Sequence, residues 1–247
     1  MTEKPPNMDS QANRLQQTLY EQVKVYRSKT DQYRWLAPFY DKLARWVFGE
    51  ALQKAHQDAL NLGGAIEGRQ ALIWLGGGTG YLVNEILKHS PQVTLIYIEA
   101  SQRMIQQAQT RILPQFGKRV LWLNTTHEVL YSPAVMTYLK QFKQLYLMSF
   151  FFMDVLREED CRAMIKWASK QGVSGWYFAD FIPQKKWYYR SFISLMYLCF
   201  ALTTQISQRS LLDLKKIYLE EGWAVKGPSM FQANGLVESC YFEQTKI

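Results

Sequence analysis

Ala71-Leu-Ile-Trp-Leu-Gly-Gly-Gly-Thr-Gly80 is the stretch whose reading decides the fold. A short apolar run stops at a glycine-rich turn, and Tyr81-Leu-Val-Asn-Glu-Ile-Leu-Lys88 then takes up helical spacing. Strand, glycine loop and helix in that order hold a nucleotide-like cofactor in α/β proteins. Glycine lets the chain turn sharply while its backbone approaches a ligand; a Cβ would obstruct both. The helix that follows offers free N–H groups and the positive end of its dipole. Gly76 and Gly78 match a dinucleotide fingerprint, but Tyr81 occupies its sixth position, which disfavours a nicotinamide-dependent oxidoreductase. No lysine follows the loop, so it is not a phosphate-binding P-loop.

Working outward, strands and helices alternate. Strand 93–98 ends on Glu99, 19 residues after Gly80. An acid at that strand end can accept hydrogen bonds from both ribose hydroxyls of an adenosine. Loop and acid together are far more specific than either alone. A helix over 102–113 follows, with Ser101 placed to cap it. The spacing then predicts strand 119–123, a helix around 133–141, strand 144–149, a helix over 158–170 and strand 174–180. Such alternation predicts a parallel sheet with helices on both faces.

The flanks differ in character. Residues 1–12 read as a polar tail and 13–70 as an N-terminal helical cap, with helical patterning over 12–29 and again over 50–60. The core extends over 71–247. After Asp180 the alternation breaks, and residues 183–206 form an aromatic helical insert. Its apolar run, Ser191–Leu202, is shorter than the roughly 20 residues a membrane span needs. A helix over 210–221 and two strands, 223–231 and 236–244, finish the chain, with Gly227-Pro228 marking a bend or an edge in the first strand.

Composition narrows the function classes. The chain has 247 residues, 48% of them hydrophobic, enough for a sizeable core. Its 8 Trp, 15 Tyr and 13 Phe serve either that core or a site for flat, apolar molecules. The net charge of +8 is spread along the chain with no long Lys/Arg run, so no nucleic-acid partner is expected. Weak peripheral attraction to acidic lipid is compatible with it. Cys161, Cys199 and Cys240 make neither a disulfide framework nor a zinc spacing, and His56, His89 and His127 are equally scattered. No metal is expected. The polar N-terminus lacks a signal-peptide core, and a reducing cytoplasm fits the cysteines.

The loop and the second strand, read together, carry a resemblance. Leu72-Ile-Trp-Leu-Gly-Gly-Gly-Thr-Gly80 with Tyr97-Ile-Glu-Ala-Ser-Gln-Arg-Met104 resembles the class I S-adenosylmethionine-dependent methyltransferases. Within them it is similar to the branch that includes quinone-biosynthesis methyltransferases, whose members often carry Tyr-Asp-x-Leu ahead of the core, here Tyr40-Asp41-Lys42-Leu43. The resemblance covers roughly residues 36–247. It implies a Rossmann-like seven-stranded sheet, mostly parallel, with the last strand antiparallel beside the sixth. It implies S-adenosylmethionine as cofactor, with Gly76, Gly77, Gly78, Thr79 and Gly80 passing its methionine part and ribose. Glu99 would bind the ribose hydroxyls, Ala100 and Met104 would flank the adenine, and Asn124, Thr125 and Thr126 would lie at its edge. Ser149 and Phe150 would lie near the transferred methyl. Two positions depart from the family: Trp74 stands where it usually has an acid that organises the amino end of the cofactor, and Gln144 stands near a second expected acid.

The expected activity is methyl transfer to oxygen or carbon of a small, apolar or aromatic acceptor, with Trp187, Tyr188, Tyr189, Phe192, Met196, Tyr197 and Phe200 as a lid. The alternative is a non-catalytic binding or scaffold protein of the same fold. A base would help transfer to a hydroxyl or a ring carbon by about 10²–10⁴-fold. Its candidates are His127, Asp154, Asp180 and Tyr40. Each also has a structural reading: a surface histidine, a helix cap, a strand-end hydrogen bond and an anchor for the N-terminal helices.

Overall fold

The computed structural model describes residues 48–183 and 211–245, together with Leu19, Glu21, Tyr26 and Lys42. Tyr40 and the lid aromatics lie outside the described residues, as does nearly all of the helix expected over 12–29. Leu19 and Glu21 are helical, and Leu19 is buried in the core.

Helix α1 (Ala51–Gly63) precedes strand β1 (Ala71–Leu75). The order continues α2 (Val83–His89), β2 (Thr94–Glu99), α3 (Gln102–Arg111), β3 (Val120–Asn124), α4 (Pro133–Leu139), β4 (Leu145–Phe150), α5 (Glu158–Lys170) and β5 (Val173–Phe181). It closes with α6 (Leu214–Glu220), β6 (Trp223–Val225), β7 (Met230–Gln232) and β8 (Val237–Gln244). The sheet order is β3-β2-β1-β4-β5-β8-β6, with β7 also paired to β8. Strands β1 to β5 pair in parallel, whereas β8 runs antiparallel to β5, β6 and β7.

Among the described residues the sheet has eight strands, not the expected seven. The single strand anticipated over 223–231 is two, β6 and β7, separated by Gly227-Pro228. Gly227 takes φ 76°, and proline has no N–H to give the ladder, so pairing stops there and resumes at Met230.

Every residue of β1 is buried, as a strand covered on both faces requires. Ala71, Ile73 and Leu75 enter one apolar cluster with α4, α5 and α6. Leu72 and Trp74 enter the other, with α1, α2 and α3. Local signals set the helix starts. Ser101 caps α3 by accepting from Met104 N–H at 3.2 Å, and Ser132 caps α4, whose first residue is Pro133. Strands β1, β2 and β4 therefore deliver their carboxyl ends, and the loops after them, to one edge of the sheet.

Candidate functional site: the cleft at the glycine loop

The loop after β1 is fixed from the neighbouring strand. Tyr97 and Glu99 lie two apart on β2, so they point the same way. The Tyr97 hydroxyl donates to the Gly78 carbonyl at 2.8 Å, while Glu99 Oε2 accepts from the Gly78 N–H at 2.9 Å. Glu99 Oε1 accepts from Ser101 N–H at 2.7 Å. The buried Glu99 is thus oriented by two backbone donors at the end of β2.

Glycine is needed at position 77 for space. A Cβ there would lie 2.2 Å from the Tyr97 ring, which supports the loop from below. Gly78, at φ 61°, has open space where a Cβ would stand, so the main chain itself faces the cleft. Thr79 is buried and accepts from Arg111 Nη1 at 2.9 Å, which ties the loop to the end of α3. Beyond β2, Asn124 Nδ2 donates to the carbonyls of Glu99 and Ala100 at 3.0 and 3.1 Å. Thr125 Oγ1 donates to the Tyr26 carbonyl at 2.7 Å, and Thr126 contacts the same oxygen. Met104 is buried in the first turn of α3. The rim from Glu99 to Thr126 is therefore one connected hydrogen-bonded unit.

On the other side of the loop is a cleft of about 130 Å³. Gly76, Gly77, Gly78 and Thr79 form one wall, Trp74 and Phe150 another, and Leu52, Gln53 and His56 of α1 a third. Phe151 joins them with φ 51°, its N–H donating to the Ala179 carbonyl at 2.8 Å. Residues 49, 52, 53 and 56 of the lining follow helical spacing, the one sequence signal that could have revealed this wall. His56, in the sequence only one of three scattered histidines, stands on this wall. Its ring lies 4.8 Å from that of Phe150 and 5.3 Å from that of Phe151, and burial lowers its pKa to about 3, so it is neutral at pH 7. His56 Nδ1 and Trp74 Nε1 are both buried without a hydrogen-bond partner among the described residues. No described residue lining this cleft carries a formal charge.

The remaining expected residues are placed differently. Ser149 is fully buried, and its hydroxyl accepts from Trp176 Nε1 at 2.8 Å. Strand alternation turns its side chain toward the α5 side of the sheet and leaves Phe150 to face the cleft. Asp180 is likewise in the core. It accepts from the N–H groups of Met153, Asp154 and Phe181 at 3.0, 3.2 and 2.9 Å, pinning the loop after β4 to the end of β5. Burial, and next the charge of Asp154, push the Asp180 carboxyl well above its usual range. Asp154 is also buried, in the short 3₁₀ turn Met153–Val155, so the structure brings these two candidates together as a structural pair. His127 stands apart. Its ring is 6.0 Å from that of Phe152, which itself covers Gly76. Burial lowers its pKa, opposed by Glu128 and Asp160. Among the described residues no group of three or more His, Cys, Asp or Glu is placed to hold a metal ion.

No protein-family model matches the sequence, and no curated protein matches it. Solved structures do resemble the fold. The fold is shared with solved methyltransferases. A putative methyltransferase of Haloferax volcanii, solved with the Trm112 methyltransferase activator, aligns with 89% of this chain and 100% of its own at a TM-score of 0.59 and 9% identity. The 1,6-didemethyltoxoflavin-N1-methyltransferase of Burkholderia thailandensis, solved with its substrate and S-adenosylhomocysteine, aligns over 87% of both chains at 0.54 and 10% identity. LepI in complex with SAM aligns with 77% of this chain at 0.52 and 10% identity, and this chain spans 46% of it. No helix among the described residues is long and apolar enough to cross a membrane.

Proposed function

We propose that the protein transfers a methyl group from S-adenosylmethionine to oxygen or carbon of a small, apolar or aromatic acceptor, in the manner of the quinone-biosynthesis branch. The observation that carries this reading is Glu99: a buried carboxylate at the end of β2 that accepts from the Gly78 N–H and so joins the acid to the glycine loop. Bound there, the cofactor supplies a sulfonium that already carries the activated methyl.

The chain's own residues then bind, align and exclude water. Gly76, Gly77, Gly78, Thr79 and Gly80 pass the amino-acid end and the ribose. Glu99 holds the ribose hydroxyls, Ala100 and Met104 flank the adenine, and Asn124 to Thr126 form its edge. Phe150 faces the reacting end. Alignment alone can supply up to about 7–11 kcal/mol of the barrier. Of the described base candidates, His127 is the one left outside the buried carboxylate pair; burial lowers its pKa, which favours the neutral imidazole that a base must be.

Calorimetry with S-adenosylhomocysteine tests the reading, with saturable binding expected. No heat of binding at millimolar ligand would sink it. Binding accompanied by no methyl transfer from labelled S-adenosylmethionine to a panel of phenols, quinols and lipid extracts would favour a non-catalytic binding protein. Trp74, in place of an acid, is the feature that favours that second reading.

A further inference from the structure

Trp74 and Glu99 flank the same loop, yet Trp74 presents a donor with nothing to donate to. Its Nε1 is buried and lacks a partner among the described residues, although the indole lines the cleft. Leaving a buried donor unmade costs about 1–3 kcal/mol, a cost normally avoided. The opposite wall adds His56, neutral through burial, whose Nδ1 is also unpartnered. The rest of the described lining is glycine, aliphatic, aromatic, Thr79 and Gln53. At about 130 Å³ the cleft is close to the ~150 Å³ cavity known to hold a benzene-sized group. It has room for the amino-acid end of an adenosyl ligand.

An amino-acid end carries an acceptor, the carboxylate, and a donor, the ammonium. An indole N–H can serve only the first. A carboxylate at position 74 would have served the ammonium. We infer that Trp74 reverses the polarity of this end of the cleft: its N–H binds the ligand's carboxylate, and the site selects that carboxylate over the ammonium. The inference rests on the adenosyl-ligand reading of the glycine loop. Because Nε1 is enclosed, engagement requires the edge contact between Trp74 and Phe150, now 6.4 Å between ring centroids, to shift. The ammonium meets no carboxylate among the described lining, only neutral groups: the His56 imidazole, Gln53, the Thr79 and Tyr81 hydroxyls and main-chain carbonyls.

The test compares four ligands on the unaltered chain by calorimetry: S-adenosylhomocysteine, its deaminated analogue, its decarboxylated analogue and 5′-methylthioadenosine, which lacks both groups. The deaminated analogue is expected to bind within about threefold of S-adenosylhomocysteine. The decarboxylated one should be weaker by about tenfold or more, the loss of one hydrogen bond to a charged group. Trp74→Phe should bring S-adenosylhomocysteine down to the affinity of 5′-methylthioadenosine and leave the latter unchanged. If the decarboxylated analogue binds as well as S-adenosylhomocysteine, or the deaminated one loses tenfold, the inference is overturned. The wild-type series decides alone if Trp74→Phe does not fold. Equal binding of all four overturns this inference and leaves the cofactor reading standing; no binding by any of the four overturns both.

Discussion

Glu99 and Trp74 stand at the ends of neighbouring strands on either side of one loop, and they solve opposite problems. Glu99 is a buried charge with its donors in place: the N–H groups of Gly78 and Ser101 hold it, and Tyr97 secures the same glycine from the other side. Trp74 is a buried neutral donor with no partner among the described residues, set among Tyr97, Phe150 and an uncharged histidine. A buried charge is tolerable when charge-assisted hydrogen bonds surround it; an unpaired donor costs stability and gains only when something binds. The Glu99 side of the loop is therefore preorganised at no loss to the fold. The other holds a local penalty that a ligand can relieve.

The largest effect that separates the two ends is expected from Glu99→Ala. It should weaken S-adenosylhomocysteine by about 1.5–3 kcal/mol, roughly ten- to a hundredfold by calorimetry, and should also lower stability because two backbone donors lose their acceptor. Unchanged affinity would mean that the ribose lies elsewhere.

Next in size is Gly77→Ala. Its Cβ would press on the Tyr97 ring, and a urea titration should show a loss of about 1–3 kcal/mol. An unperturbed midpoint would show that Tyr97 does not support the loop.

Trp74→Phe should behave in the opposite sense to Glu99→Ala. Removing an orphaned N–H while keeping an aromatic ring should leave stability equal or raise it by about 1 kcal/mol, even as ligand affinity falls. A clear loss in chemical denaturation would mean that the indole is needed for packing rather than for binding.

At neutral pH the smallest effect is that of His56, whose influence on stability emerges only as pH falls. Its pKa is lowered in the folded chain, so the unfolded chain binds the extra proton below its ordinary value near 6.5. Stability from this group is thus full above pH 6.5 and is lost as pH falls toward about 3. His56→Phe should flatten the stability–pH curve between pH 6.5 and 4, read from denaturation midpoints. An unchanged slope would place the imidazole in contact with solvent.

Much of this molecule could be read along the chain. The apolar run of β1, the glycines behind it and the acid ending β2 are local features, each within a few residues of its signal. Helix α5 follows its predicted bounds because Glu158 to Lys170 has clean helical spacing and acids in its first turn. The strand count failed at Gly227-Pro228, where a bend was expected but a complete break in the ladder was not. The site was half legible. The Glu99 end is built from one loop and one strand in sequence register. The His56 wall arrives from α1, more than a dozen residues upstream of β1, and its spacing looks like that of any helix packed on a sheet. Asp154 and Asp180 read as separate strand-end acids. Only the alignment of β4 with β5 makes them one buried pair.

Sequence by itself determined the alternating α/β order, the glycine loop with the acid that ends the next strand, and the tryptophan at position 74 beside that loop, because each depends on residues close together along the chain. Tertiary structure decided which polar groups are satisfied. Ser149 turns into the core to meet Trp176, Asp180 collects three backbone donors, and Trp74 and His56 are enclosed together without a partner among the described residues. Hydrogen-bond satisfaction depends on what the sheet and helices bring within about 3 Å, and that is fixed by packing between segments far apart in sequence.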